Sequence, residues 1–216
     1  MISRVGRELY EKLFRNYTRK QWNLDPSLLD ASVSGRIPAR FDQDDRYFMD
    51  SFQAMPLKGY THMFERIVDH PKITILMGVS YQEALRPCPK AKVIYTDPVD
   101  EYFDLRFGPL PYRSLDFNHE THDVETYQVA PVINYPNDHD YTRVTEFKHL
   151  TGQQHCKTSI VYEYPKSSGD PYYPVPRPED AALYAKYRKL AEQDTNVHFC
   201  SRLTNYKSFN MDQVVA

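Results

Sequence analysis

Apolar positions recur four apart along the first stretch of the chain, at Val5, Leu9, Leu13 and Tyr17, with Phe14 alongside. That period predicts a helix over residues 4–17 with one apolar face, entered from Ser3 as N-cap. Helical character resumes after Pro26 in "LDPSLLD"; Gly35 and Pro38 then interrupt it, so residues 34–43 read as a mobile loop. A second helix is predicted over residues 58–69, "KGYTHMFERIVD". Beyond His70 the chain turns to short β-type runs, "ITILM", "VIYT", "YRSLDF", "TYQVAPVINY", "TRVTEFKH" and "TSIVYEYP", separated by Pro, Asn, Asp and Gly. Residues 177–193 read as a helix whose first turn holds Pro178, Glu179 and Asp180, and "VHF" closes as a last strand. The expected class is α+β: a helical first third, then a mostly antiparallel sheet.

Composition narrows the functions open to such a chain. Its 216 residues suffice for one large domain or two small ones. With 27 basic and 29 acidic residues interspersed and a formal net charge of −2, it lacks the basic field that nucleic acid or an anionic membrane requires. No run of about 18 apolar residues and no signal-peptide order is readable, so a cytoplasmic protein is expected. Cys88, Cys156 and Cys200 are widely spaced and read as free thiols. The 18 Tyr and 11 Phe supply flat stacking faces, as pockets for bases and sugars do, whereas the 7 Gly form neither G-x-G-x-x-G nor G-x-x-x-x-G-K.

Four segments carry candidate chemistry. In "NYTRKQW" a helix places Tyr17 with Gln21 and Thr18 with Trp22, so a planar group could lie along one side. The same spacing suits a helix end that docks its aromatics and leaves Arg19 and Lys20 in solvent. In "YTRVTEFKH" the strand period sets Tyr141, Arg143, Thr145 and Phe147 on one face. A guanidinium there can grip a phosphate, or simply pair with a carboxylate. "GDPYYPVP" stiffens the pair Tyr172 and Tyr173 between Pro171 and Pro174. "NHETH" lacks the helical H-E-x-x-H spacing, and no metal is expected.

Taken in order, "NYTRKQW", "DDRYF", "GYTHMFE", "VIYTDPVDEYFD", "LPYRSLDF", "VINYPNDHDYTRVTEFKH", "EYP…DPYYPVP" and "NMDQVVA" resemble the UDP-galactopyranose mutase family from about Tyr10 to Ala216. Members are longer and begin with a Rossmann-type FAD-binding segment. The resemblance implies an incomplete flavoprotein fold corresponding to the part after that segment. Its divisions would be a helical substrate-binding region at 1–69, a strand segment of the flavin domain at 70–85, an antiparallel sheet domain at 86–195, and a return to the flavin site at 196–216. It also implies an isomerase that interconverts UDP-galactopyranose and UDP-galactofuranose through a covalent adduct between flavin N5 and the sugar, with reduced FAD as cofactor and UDP-galactose as partner. The alternative is a remnant that binds UDP-sugars without turnover, and a homo-oligomer is compatible with either.

Carried over residue by residue, the resemblance makes Tyr17 the ring that stacks on uracil, with Thr18 near the uridine and Trp22 near the sugar. Arg36, on the mobile loop, and Arg143, on the sheet, would face the diphosphate from opposite sides, and Tyr47, Tyr172 and Tyr173 would hydrogen-bond its phosphates. Arg202, Asn210, Met211 and Asp212 would meet the cofactor. Two family glycines are replaced: "TGP" becomes Thr96, Asp97, Pro98, and "GRL" becomes Ser201, Arg202, Leu203. Ser208 stands where a phosphate-binding tyrosine is common, and Asn210 where Asp is an alternative.

Overall fold

The computed structural model describes residues 1–35, 40, 42–44 and 48–215. Helix α1 (Ile2–Leu9) kinks at Gly6, where φ is 79° and ψ 164°, a backbone state that glycine adopts at little cost. A π-helical turn, Tyr10–Phe14, carries it into α2 (Arg15–Trp22). The kink and the wider turn break the four-residue period, so Leu9 and Leu13 are exposed while Tyr17 is half-buried and Gln21 buried. The single apolar face predicted over residues 4–17 does not form. The helix begins after Met1 rather than Ser3, with no side-chain cap. It ends at Asn23 in the left-handed region, φ 52°, whose N–H bonds Arg19 O at 2.8 Å.

A 3₁₀ turn at Pro26–Leu28, capped by Asp25, leads to α3 (Ser32–Gly35). The loop predicted at 34–43 falls largely outside the described residues. Helix α4 (Gly59–Val68) matches the second predicted helix, and α5 (Tyr81–Leu85) starts from a capping box of Ser80 and Glu83. The strand expected at "ITILM" is absent: residues 71–80 form no regular element, and Ile75, Leu76 and Met77 are exposed. Among the described residues no strand runs beside it to complete a ladder.

The remaining elements are β1 (Val93–Tyr95), α6 (Val99–Tyr102), β2 (Tyr112–His122), β3 (Val132–Asn134), β4 (Arg143–Glu146), α7 (Phe147–Thr151), β5 (Thr158–Lys166), β6 (Tyr173–Pro174), α8 (Pro178–Ala191), β7 (Val197–Phe199) and α9 (Met211–Val215). Five strands form an antiparallel sheet in the order β3-β4-β5-β2-β6. The predicted "VHF" strand does not join it. It pairs with β1 in parallel, Tyr95 opposite Phe199. Beside that pair Val99, Leu110 and Tyr187 form a buried core with Phe103, Leu183 and Phe199 packed against it. Among the described residues no helix is long and apolar enough to cross a membrane.

One fully buried carboxylate explains why "TYQVAPVINY" and "TRVTEFKH" form shorter strands than their patterns predict. Glu146 accepts hydrogen bonds from Tyr127 N (3.0 Å), Gln128 N (2.8 Å) and Thr158 Oγ1 (2.6 Å), and lies 3.2 Å from His149 Nε2. The N–H groups at 127 and 128 are thereby drawn out of any ladder. The segment after Glu146 turns into α7, closed by Gly152 in the left-handed region at φ 67°.

Burial alone would raise the Glu146 carboxyl, but the bonds from Thr158, Gln128 and Tyr127 and the neighbouring His149 hold it below its ordinary range. A carboxylate depressed in the folded state adds stability above its unfolded pKa, and that stability is lost as pH falls through the folded value. Glu146→Ala is expected to lower the free energy of unfolding by about 3 kcal/mol at neutral pH. In urea titrations the gap from the parent should narrow below about pH 4.

Candidate functional site

Helix α2 and the π turn before it are laid against the loop that enters β4 by three residues spaced four apart. Lys20 Nζ donates to Tyr135 O (2.5 Å) and Tyr141 O (3.0 Å), Asn16 Nδ2 donates to Asn137 Oδ1 (2.8 Å), and Asn137 Nδ2 donates to Lys12 O (3.0 Å). Lys20 is therefore not the solvated cation that the helix-end reading allowed. Burial lowers its ammonium below the ordinary lysine range, with Asp140 and Asp138 opposing.

This docking brings Tyr17 to Arg143, 126 positions away in sequence: Arg143 Nη2 donates to the Tyr17 hydroxyl at 2.9 Å. Arg143 is also the register partner of Glu163 on β5, with Nε 3.3 Å from Oε2. Thr142 N (2.9 Å) and Thr142 Oγ1 (3.2 Å) both donate to Glu163 O and pin the backbone of that pair. Burial raises the Tyr17 phenol, and Arg143 pulls it back. Burial likewise raises the Glu163 carboxyl against the pull of Arg143. For Arg143 burial works downward, yet Tyr17, Glu163 and Tyr173 leave it raised. Tyr141 does not share the Arg143 face as the strand period predicts. Its ring packs on Tyr162 and Tyr164, at 4.9 and 5.8 Å, because it precedes the first paired residue of β4 and escapes the alternation.

The other end of α2 meets β2 and β6. Trp22 lies edge-on to Tyr173, centroids 6.3 Å apart. Arg113, buried in β2, donates through Nε to Gln21 O (2.9 Å) and through Nη1 to Ser167 Oγ (2.6 Å). Its backbone carbonyl accepts from Tyr172 N at 3.0 Å, which ties the stiff Tyr pair to the sheet edge. Gly169, at φ 121°, permits the turn before it, since a Cβ there would lie 2.7 Å from Ser114 Oγ. Arg202 sits 5.6 Å over the Tyr173 ring and donates to Tyr172 O (3.4 Å) and Phe209 O (3.0 Å). Through Phe209 it reaches Asn210, Met211 and Asp212 at the start of α9.

The structure thus gathers Tyr17, Trp22, Arg143, Tyr172, Tyr173 and Arg202 along one side of the sheet, with Thr18 half-buried beside Tyr17. Arg36 and Tyr47 lie outside the described residues. Lys20, Gln21, Arg113 and Glu163 belong to the same neighbourhood and were not singled out from sequence as site residues. A charged or amide residue inside a β run or on the Tyr17 face was the available signal. Two open concavities are lined by neither Tyr17 nor Arg143, one by Leu57, His62, Met63 and Ile67, the other by Arg19, Lys20, Asn23 and Asp25. Among the described residues no cluster of His, Cys, Asp and Glu could hold a metal ion.

Removing Arg143 strands a largely buried carboxylate, so Arg143→Met is expected to cost about 1–3 kcal/mol of stability, of which Glu163→Gln in the same protein restores part. A double-mutant cycle by chemical denaturation reads this coupling. Additive costs would mean that the two side chains do not interact.

The family model described as "GLF: UDP-galactopyranose mutase" matches residues 12–208. A probable UDP-galactopyranose mutase of Klebsiella pneumoniae is 41% identical over 98% of this chain and 56% of its own length. A dTDP-fucopyranose mutase of Escherichia coli is 36% identical over 96% of this chain and 58% of its own. A UDP-galactopyranose mutase of Mycoplasma pneumoniae is 34% identical over 95% and 56%. A crystal structure of reduced UDP-galactopyranose mutase superposes with a TM-score of 0.69 at 14% identity, covering 99% of this chain and 64% of that one, a likeness of fold. The chain spans little more than half the length of these curated relatives, 56–58%. With the family model covering most of its residues, the chain belongs to the UDP-galactopyranose mutase family.

Proposed function

We propose that this chain carries the nucleotide-sugar-binding part of a UDP-galactopyranose mutase, an isomerase that interconverts the pyranose and furanose forms of UDP-galactose. The observation that carries the reading is the bond between Tyr17 and Arg143, which unites two distant motifs in one polar seam. Tyr17 offers a ring face for uracil, with Thr18 toward the uridine, and Arg143 offers N–H donors to the diphosphate. Trp22 walls the sugar end, Tyr172 and Tyr173 offer hydroxyls to the phosphates, and the family resemblance assigns Arg36 and Tyr47, outside the described residues, to the diphosphate as well. Excluding water from this seam strengthens each charged contact.

Reduced FAD, when bound, would supply the nucleophilic nitrogen of the reaction. The residues here fit such a group: among the described residues the Arg202 guanidinium meets two neutral carbonyls and the Tyr173 ring but no carboxylate, so its charge remains to balance an anionic ring. Ser201, in place of a family glycine, directs its hydroxyl into its own turn, where it accepts from Leu203 N and Thr204 N at 3.0 Å each. Asp97 is exposed. Arg202, Asn210, Met211 and Asp212 would hold the flavin.

The proposed organisation is a substrate-binding region at 1–69, a sheet domain at 86–195, and segments 70–85 and 196–216 that pack on the flavin-binding part of the longer relatives. The exposed run at Ile75, Leu76 and Met77 and the exposed Ile94 beside the β1–β7 pair support it, since both offer apolar surface to a further layer. In this sense the chain is an incomplete flavoprotein fold.

Calorimetry with UDP tests the reading. Tyr17→Ala and Arg143→Ala are each expected to weaken binding about tenfold or more. A well-folded sample that ignores UDP would refute it.

A further inference from the structure

Arg143 and Glu163 face each other across β4 and β5, but their contact is not that of a pair built for stability alone. Nε and Oε2 are 3.3 Å apart, close enough for strong attraction, yet the buried Nε makes no hydrogen bond. The guanidinium bonds instead through Nη2 to the Tyr17 hydroxyl. An ion pair that serves burial matches the donor fork to both carboxylate oxygens. Here the carboxylate answers the charge and leaves donors of the fork unused. Arg113 provides the contrast on the same sheet face, with Nε and Nη1 bonded to the neutral acceptors Gln21 O and Ser167 Oγ.

Resting on the reading that Arg143 receives the diphosphate, we propose that Glu163 sets the affinity of the site: it is a resident counter-anion that holds the charge of Arg143 and against which the diphosphate must bind. The Glu163 backbone cannot yield, because its carbonyl accepts two bonds from Thr142. Its side chain is 13% exposed, so water screens it little. The arriving phosphates take the donors that Glu163 leaves unused and meet its negative charge at close range. Binding is weaker for it, which lets a diphosphate leave a site that must also recapture it.

The groups facing Glu163 define what else could respond. Arg143 approaches from β4 and Tyr17 from α2, Tyr173 acts on both, and the residue opposite on β2 is the apolar Phe117. His119, two positions further along β2, is stacked on Phe147 at 6.4 Å. Burial already raises the Glu163 carboxyl, and phosphates would raise it further, so binding draws a proton onto it and affinity increases as pH falls.

The test is calorimetry with UDP-galactose, whose diesterified phosphates do not themselves titrate near neutrality, on the parent and Glu163→Gln. The variant is expected to bind UDP-galactose about fivefold or more tightly than the parent, with no such gain for uridine. Above the ordinary carboxylate range and below neutrality, in two buffers of different protonation heat, the parent should take up part of a proton per ligand and the variant none. Equal or weaker binding by a folded variant, or an equal gain for uridine, overturns the proposal. Should the variant not fold, the parent decides alone, and heats independent of buffer overturn it. A folded chain that binds neither UDP-galactose nor uridine refutes the nucleotide-sugar reading itself, and the role of Glu163 with it.

Discussion

Helix α2 rests on the five-stranded sheet through buried polar groups. Lys20 spans two carbonyls of the loop entering β4, Tyr17 accepts from Arg143, and the Gln21 carbonyl accepts from Arg113. An apolar seam tolerates sliding by fractions of a turn, because dispersion is non-directional. Hydrogen bonds weaken steeply with angle and leave a costly orphan when missed. Three such contacts at successive heights therefore fix both the rotation and the position of α2. Every candidate side chain on the helix takes its placement from that constraint.

What the sequence disclosed follows the same division. Helices α4 and α8 and the paired runs of β2 and β5 were legible from local periodicity and from the breakers that bound them, although α4 buries none of its residues. The first helix misled, since the positive φ at Gly6 and the five-residue π turn displace the face that a four-residue period assigns. "TYQVAPVINY" misled for a different reason: the carboxylate that captures its amides lies 18 and 19 positions away. The same blindness hid Arg113 and Glu163. Nothing local to "YRS" or "VYEYP" announces which helix end or which arginine the fold will bring beside it.

Charge on this side of the sheet is organised quite differently from charge on the chain as a whole. The sequence is slightly acidic and evenly mixed. Yet of the three arginines gathered here only Arg143 has a carboxylate partner among the described residues, while Arg113 and Arg202 are answered by neutral oxygens. Backbone carbonyls and hydroxyls satisfy N–H groups without cancelling charge, so the face keeps a positive potential that net composition conceals. Tyrosines between these cations supply acceptor hydroxyls and ring faces while adding no opposing charge.

The π turn at Tyr10–Phe14 bears on how such chains are compared. A turn of this kind is an α-helix with one residue looped into it, so the stretches on either side keep the spatial relation that a helix one residue shorter would give them. Losing that extra residue would straighten the hydrogen-bond ladder and leave Tyr17 where it is. Relatives that differ by a single deletion here can be superposed without displacing the aromatic, and a gap at this point in an alignment marks conserved geometry.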